Sequence, residues 1–217
     1  MPPDPLILAF DTSAAHCAAA VLSGGTLLAE AQEEMAKGQA ERLFPLLGDL
    51  LARAGAGWGD LAALAVGVGP GNFTGVRISV AAARGLALSL RVPAIGVSML
   101  EALAHGQPRP CVTLIDARRD QLYLQMFGDR PAGPILTGAD GLGGLAPGTI
   151  FVGHGAADAA LRHRGRAAEP VYRPAEAMAR FAAEILASGP PVARPAPLYL
   201  RPADAAPARD LPPALLP

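Results

Sequence analysis

The chain has 217 residues, of which 51% are hydrophobic, and its formal net charge is −1. Such a chain can bury a core in one large or two small domains. The near-zero charge argues against a protein that binds nucleic acid by itself, because such proteins carry a clear basic excess. No uncharged apolar run approaches the roughly 20 residues of a membrane helix, and residues 1–5 lack the features of a signal peptide. We therefore expect a cytoplasmic protein that does not enter a membrane.

The chain opens with a predicted antiparallel meander. Residues 6–10 form an apolar strand that ends at Asp11-Thr12-Ser13, residues 16–22 form a second strand, and residues 26–34 form a third. A helix is predicted over residues 37–53, with Leu43, Leu47 and Leu50 on one face. Pro45 inside it should kink the helix or mark the end of its first turn.

The central unit covers residues 61–90. An apolar strand over residues 61–68 leads into the turn Gly69-Pro70-Gly71, and Asn72 or Thr74 can cap the helix that follows. A glycine turn at a helix N-terminus suits a phosphate or carboxylate. The Lys-Ser/Thr pair of a Walker-type phosphate loop is missing, however.

This central helix has one apolar face and one arginine stripe. The face carries Val76, Val80, Ala83, Ala87 and Leu90, and Arg77, Arg84 and Arg91 recur at every seventh position. Arginines at these positions exclude a membrane span. The pattern alone favours a core helix with a solvated edge over a helix that docks onto a partner.

The second half of the chain begins with the same strand–aspartate–turn–strand pattern as the first. After a strand over residues 92–97 and a short helix capped by Ser98, residues 106–110 break the pattern and mark a candidate domain boundary. Residues 111–127 then match residues 6–22, with Asp116 aligned to Asp11. This repeat predicts a duplicated architecture with a cleft between the copies.

The second copy is less regular in sequence. Residues 132–148 show no clear element, residues 149–152 predict a strand, and residues 156–162 and 175–187 predict helices. A proline-rich link and a short final strand over residues 198–200 complete the predicted fold.

Few residues have a type and spacing that indicate a catalytic or metal-binding function. Asp11 could orient a metal-bound water in phosphoryl transfer, but no Lys or Arg accompanies it, so an Asx turn is the favoured interpretation. Asp116 lies in a charged turn for which solvation is the default interpretation. The four histidines and two cysteines show no metal-ligand spacing, and the cysteines lie in apolar runs that are typical of buried, reduced thiols.

Several blocks closely resemble the TsaB (YeaZ) family, whose members take part in bacterial tRNA threonylcarbamoyladenosine synthesis. The most specific is Gly69-Pro-Gly-Asn-Phe-Thr-Gly-Val-Arg77. The others, in the family's order, are Leu8-Ala-Phe-Asp-Thr-Ser13, Glu41-Arg-Leu-Phe-Pro45, Val92-Pro-Ala-Ile-Gly-Val-Ser98, Ile115-Asp-Ala-Arg118 and Leu198-Tyr-Leu-Arg201. Asn72 departs from the family's usual serine, which can also cap a helix.

The resemblance implies an α/β protein with the actin-like ATPase (ASKHA) fold, in which each of two lobes has a mixed β-sheet and flanking helices. It places an N-terminal lobe with partner-binding helices at residues 1–105 and a C-terminal lobe at residues 106–201. Residues 202–217 form a Pro/Ala-rich tail that we expect to be disordered.

The implied role is that of a non-catalytic, dimerising subunit. It pairs with the catalytic paralog TsaD, the ATPase TsaE engages the pair, and the isolated chain forms a homodimer. Transfer RNA is reached only through the complex, where the adenosine next to the anticodon is modified. This chain would need no cofactor or metal of its own, although ATP or ADP could bind at the interface of the complex.

The resemblance also implies which residues form the site. The partner interface would lie on the first two helices, and the candidate nucleotide contacts are Asp11, Thr12 and Ser13. The interface residues are Leu43, Leu47, Leu50, Phe73, Val76, Arg77, Val80, Ala83, Arg84 and Ala87. The alternative is an autonomous ATP-dependent small-molecule kinase of the same fold, with Asp11 or Asp116 as its catalytic carboxylate. A peptidase is the weakest alternative, since the sequence shows no motif that pairs a nucleophile with a base.

Overall fold

The computed structural model describes residues 4–129, 131–138, 141–189 and 192–201. The predicted disordered tail, residues 202–217, lies outside the described residues. Two five-stranded sheets organise the described part of the chain.

The first sheet has the strand order β3-β2-β1-β4-β5. Its strands are β1 (Leu6–Asp11), β2 (His16–Ser23), β3 (Thr26–Glu34), β4 (Leu61–Gly67) and β5 (Ala94–Val97). Strands β1, β2 and β3 form the predicted antiparallel meander, whereas β4 and β5 continue the sheet in parallel with β1. Both faces of β1 and β4 are buried, which explains their unbroken apolar sequence.

Three α-helices belong to this part of the chain: α1 (Gln39–Arg53), α2 (Phe73–Leu90) and α3 (Met99–Ala104). Helix α1 continues for two turns beyond Pro45, so this proline does not mark the end of the first turn. The proline is exposed, and water can satisfy the carbonyl that its missing N–H leaves free. Ser98 caps α3 as predicted and forms a reciprocal capping box with Glu101.

By length and composition alone, α2 could cross a membrane. Its Val76, Val80 and Ala83 side chains instead pack with Leu64 and Val66 of β4 in one core. Together with its arginines, this contact is that of a helix covering a sheet.

The second sheet has the order β10-β9-β6-β7-β8. Its strands are β6 (Cys111–Asp116), β7 (Gln121–Phe127), β8 (Ala132–Gly138), β9 (Ile150–Gly153) and β10 (Arg166–Ala168). The antiparallel and parallel pairings reproduce those of the first sheet strand for strand. The duplication predicted from Asp11 and Asp116 is therefore confirmed, and the molecule has the α/β actin-like ATPase fold.

Three sequence predictions in the second half were incomplete or wrong. Strand β8 lies where no element was predicted, because glycine and Pro134 are untypical of strands. They are tolerated here since β8 is an edge strand that pairs on one side only. The three-residue β10 is too short to show a period. Residues 198–200 do not form a strand; instead, the N–H of Leu198 makes a backbone hydrogen bond of 2.8 Å to the carbonyl of Val68.

The last two helices, α4 (Ala156–His163) and α5 (Pro174–Ser188), cover different sheets. Helix α4 packs on the second sheet. Although α5 falls within residues 106–201, which the sequence assigns to the C-terminal lobe, its alanine-rich face packs on the first sheet. The first sheet thus lies between α1 and α2 on one side and α5 on the other.

Candidate functional site

Asp11 ends β1 in a closed turn. Its Oδ2 accepts hydrogen bonds from the backbone N–H (3.0 Å) and the hydroxyl (2.9 Å) of Ser13, as an Asx turn does. The same oxygen lies 2.9 Å from Nε2 of His16, at the start of β2. This hydrogen bond raises the pKa of His16 above its ordinary value, although burial acts in the opposite direction. The histidine is the residue that sequence reasoning missed.

The beginning of α2 covers this turn. The hydroxyl of Thr12 donates to the carbonyl of Gly75 (2.7 Å), and the backbone N–H of Asn72 donates to the carbonyl of Ser13 (2.6 Å). A Cβ on Gly71 or Gly75 would collide with the carbonyl oxygens of Ser13 or Thr12. Glycine is therefore required at both positions by a close approach of two backbones.

The side chains of Asp11, Thr12 and Ser13 are buried as a result. Oδ1 of Asp11 has no hydrogen-bond partner among the described residues and is enclosed by Gly67, where a Cβ would collide with it. In this conformation a nucleotide could not reach the Asp11 carboxylate, whose hydrogen bonds to Ser13 and His16 stabilise the turn.

A cleft of about 680 Å³ separates the two lobes. Ser13, Ala14, Ala15 and the Gly71–Phe73 segment line it from the first lobe, and residues 115–118 and Tyr123 line it from the second. Asp116 is exposed here, and its Oδ1 accepts a 2.8 Å hydrogen bond from the N–H of Arg118. The accessible carboxylate of the cleft is thus Asp116 and not Asp11.

A second concave surface lies between α1 and α2, with a volume of about 470 Å³. We call it the α1/α2 groove; it is lined by Ala40, Leu43, Phe44, Ile78, Ala81, Ala82, Gly85 and Leu86. Almost all of its lining is apolar. Phe44 is 46% exposed beside it and Leu88, on α2, is 81% exposed, so this side of the lobe presents apolar side chains to its surroundings.

The ten residues predicted for a partner interface divide into two groups. Leu43, Leu47, Leu50, Val76, Val80 and Ala83 have side chains inside the chain's own core. Phe73, Arg77, Arg84 and Ala87 retain exposure. The sequence pattern marks the apolar stripe of each helix, but that stripe faces the sheet. The flanks that do not face the sheet carry Phe44, Ala81 and Gly85, which are exposed.

Two of the three stripe arginines contact their own chain. The guanidinium of Arg77 stacks on Phe73, 3.7 Å from the ring centroid, and its Nε donates to the hydroxyl of Tyr199 (2.9 Å). Nε of Arg84 donates to the carbonyl of Pro195 (2.7 Å). The solvated edge predicted from the stripe is therefore partly occupied by residues 195–199.

Metal ligands do not converge in the described ranges. No group of three or more His, Cys, Asp or Glu side chains there could hold a metal ion.

Comparison with known proteins gives one consistent answer. The family model described as TsaD, tRNA N6-adenosine threonylcarbamoyltransferase, matches residues 28–130. The tRNA threonylcarbamoyladenosine biosynthesis protein TsaB of Escherichia coli is 40% identical over 122 residues, which cover 54% of this chain and 52% of that protein. The chain thus spans about half the length of this curated relative.

Other likenesses extend over nearly the whole chain. An uncharacterised Mycobacterium tuberculosis protein is 34% identical over 205 residues, covering 93% of this chain and 94% of the relative. The structure of YeaZ from Pseudomonas aeruginosa superimposes with a TM-score of 0.74 at 31% identity, covering 90% of this chain and 100% of that one. On this evidence the chain belongs to the TsaB/YeaZ family.

Proposed function

We propose that this chain is a non-catalytic subunit in tRNA threonylcarbamoyladenosine biosynthesis, which acts in the cytoplasm by pairing with a catalytic paralog of the TsaD type. The names of relatives in Escherichia coli and Bacillus subtilis place those proteins in this biosynthesis. The match of residues 28–130 to the TsaD model supports a common origin of the two partners. Because the matched segments span about half of these relatives, process and partner are extended to this chain by inference.

The observation that carries the non-catalytic role is the closed Asp11 turn. A carboxylate that serves phosphoryl transfer must reach a metal ion or the reacting phosphate. Here both oxygens of Asp11 are buried, one bound to Ser13 and His16 and the other enclosed by Gly67. The cost of rebuilding this turn argues against Asp11 as a catalytic group.

The α1/α2 groove is the proposed docking surface for the paralog. Ala81 and Gly85 keep α2 narrow, so a helix of the partner could approach its backbone closely, and Phe44 would be a buried aromatic contact in such a pair. A partner with the same fold has a helix pair of its own to supply. The same surface would hold the homodimer that we propose for the isolated chain.

The remaining components follow from the resemblance. We propose that TsaE engages the pair, that ATP or ADP binds at the interface of the complex, and that this chain needs no cofactor of its own. The net charge of −1 supports a chain that reaches tRNA only through its partner.

Reconstitution tests the role directly. Purified TsaD and TsaE from the same organism, supplied with threonylcarbamoyl-adenylate and tRNA, should modify the tRNA only when this chain is added. The chain alone should give no product. Equal product with and without the chain would contradict the proposal.

Two matched variants test the surface. Ala81→Glu puts a charge into the groove, and Ala157→Glu makes the same change on the exposed side of α4 in the other lobe. We expect Ala81→Glu to lose both pairing with TsaD and stimulation of tRNA modification, and Ala157→Glu to keep both. Glutamate at Ala83, which was also predicted to lie in the interface, would be an unsuitable test, because Ala83 is fully buried and a carboxylate there would destabilise the lobe itself.

A second candidate function, an ATP-dependent small-molecule kinase, is favoured only by the exposed Asp116 in the cleft. It predicts phosphoryl transfer by the isolated chain that Asp116→Asn abolishes. Under the subunit proposal the isolated chain turns over no ATP, and Asp116→Asn leaves stimulation of TsaD unchanged.

A further inference from the structure

We infer that residues 195–201 form a strap that ties α2 of the first lobe to the β6–β7 turn of the second and thereby fixes the opening of the cleft. The strap begins within the proline-rich link of residues 190–197 and adds no strand to either sheet. The contacts that hold it join residues that are far apart in the sequence, and no sequence pattern predicts them. The inference is independent of the proposed function.

Four contacts anchor the strap to the first lobe. Arg84 donates to the carbonyl of Pro195, the N–H of Leu198 donates to the carbonyl of Val68, and Arg77 donates to the hydroxyl of Tyr199. The rings of Tyr199 and Phe73 pack 5.1 Å apart. Two donors from one face of α2, seven residues apart, therefore hold two points of the same extended segment.

The glycines beneath the strap show how closely it approaches. A Cβ on Gly96 would lie 3.3 Å from Cβ of Pro195, and one on Gly69 would lie 3.4 Å from the carbonyl oxygen of Leu198. Gly69 also has a φ of +91°, which favours glycine. The backbone of the strap thus lies directly on the first sheet and the glycine turn.

Leu200 and Arg201, the last two residues of the strap, anchor it to the second lobe. Nη2 of Arg201 donates to the carbonyl of Ala117 (2.6 Å) and to Oε1 of Gln121 (2.9 Å), on the two sides of the β6–β7 turn. Besides Leu100 of α3, the buried cluster against which Leu200 packs contains two residues of the second lobe, Ala117 and Tyr123. Both of these residues line the cleft, so the strap supports one wall of the cleft.

A strap held at both ends restricts the rotation of the lobes. Tyr199 and Arg201 are two residues apart, a span of at most about 7 Å, and one contacts each lobe. Opening the cleft therefore requires the Arg201 contacts or the Tyr199 contacts to break. Arg201 is the more informative residue to remove, since its loss frees the second lobe and leaves the first-lobe anchors in place.

The test uses full-length chain with spin labels on cysteines introduced at Ser89 in the first lobe and Leu161 in the second, both exposed. The native thiols are buried, and burial raises the pKa of Cys17 to about 11 and that of Cys111 above its usual value, so labelling at neutral pH selects the introduced sites. Labelled chain is mixed with an excess of unlabelled chain, so that distances between two copies in a dimer do not contribute, and double electron–electron resonance then measures the distribution of distances between the lobes.

We expect Arg201→Ala to broaden this distribution, and to accelerate hydrogen exchange of residues 117–121 about five- to tenfold, the effect of losing one or two hydrogen bonds. The control Arg166→Ala removes an exposed arginine of the second lobe that lies away from both labels and whose side chain has no hydrogen bond to any described residue, and it should change neither. Fluorescence of Trp58 verifies that each variant is folded. A distance distribution for Arg201→Ala that coincides with those of the wild type and the control overturns the inference, whatever happens to exchange.

Discussion

Asp11 and Asp116 occupy equivalent positions at the ends of β1 and β6, yet their surroundings differ. Asp11 is buried under the start of α2 and bound to His16, whereas Asp116 is exposed in the cleft and, among the described residues, bonds only within its own turn. The difference arises because glycines at positions 67, 71 and 75 allow backbone and carboxylate to pack without intervening side chains. Equivalent residues in a duplicated fold can thus serve structure in one lobe and face solvent in the other.

Gly67→Ala tests how tightly the Asp11 carboxylate is enclosed. The new Cβ would collide with Oδ1 of Asp11, and we expect a loss of about 2 to 3 kcal/mol in the free energy of unfolding. Gly48→Ala is the matched control, because a Cβ there meets nothing within 4 Å and alanine should stabilise α1 by about 0.5 to 1 kcal/mol. Urea unfolding monitored by Trp58 fluorescence measures both. Equal stability of Gly67→Ala and the wild type would show that the enclosure is loose.

His16 should make stability depend on pH. Its pKa is raised above 6.5 in the folded state, chiefly by its hydrogen bond to Asp11, so the folded state binds more protons than the unfolded state near neutrality. The stabilisation is complete below pH 6.5 and is lost as pH rises through the folded pKa. We expect the free energy of unfolding of the wild type to fall over this window relative to that of His16→Gln.

Comparison of the two proteins removes the contribution of other groups. The pKa of His105 is lowered, chiefly by burial, so its effect on stability has the opposite sign and is common to both proteins. Parallel curves for wild type and His16→Gln between pH 6 and 9 would contradict a charged His16 in the folded state.

At the scale of elements, the start of α2 is the most strongly determined feature. Oδ1 of Asn72 accepts from the N–H groups of Thr74 (3.0 Å) and Gly75 (3.1 Å), which are orphan donors of the first helical turn. The sequence offered Asn72 or Thr74 as the cap, and the structure selects Asn72. The same residue joins the helix to the Asp11 turn through its backbone N–H, so cap and turn form one unit.

Asn72→Ala should remove the cap without removing the backbone contact. We expect a loss of about 1 kcal/mol in the free energy of unfolding, since two helix donors lose their acceptor. Asn72→Ser keeps an acceptor oxygen and should retain most of the stability. Thermal unfolding of the three proteins gives the comparison; an alanine variant as stable as the serine variant would mean that water replaces the cap without cost.

At the scale of the whole molecule, the first sheet is covered on both faces while the outer side of α1 and α2 is not. The apolar stripes of these helices are used by the core, and the α1/α2 groove is left exposed with Phe44 beside it. An exposed apolar surface of this kind is typical of proteins that associate. This is the surface on which we expect the isolated chain to dimerise.

Sedimentation measures that association. We expect wild type and Ala157→Glu to move from monomer to dimer as concentration rises, and Ala81→Glu to remain a monomer, because a buried unpaired charge would oppose the contact. A wild-type protein that is monomeric at every concentration would exclude the homodimer. Dimers of Ala81→Glu as stable as the wild type would place the interface elsewhere.

Sequence patterns predicted the duplication, the meander, and the central strand and helix, and the resemblance of several motifs indicated the family. These features depend on local signals: apolar runs of strand length, Asn72 and Ser98 at helix starts, and an aspartate at the same place in each copy. Their physical causes lie within a few residues of each other, so a pattern can reveal them.

The roles of residues that contact distant parts of the chain could be found only from the folded arrangement. Because periodicity identifies the apolar stripe of a helix but not what covers it, the predicted interface included residues such as Leu47 and Val80 that the core already buries. The pairing of His16 with Asp11, the burial of the Asp11 turn by α2, and the contacts of Arg84 and Arg201 with the strap depend on chain segments brought together by folding. Local sequence carries no record of such contacts, since each partner alone has the composition of an ordinary turn or exposed helix edge.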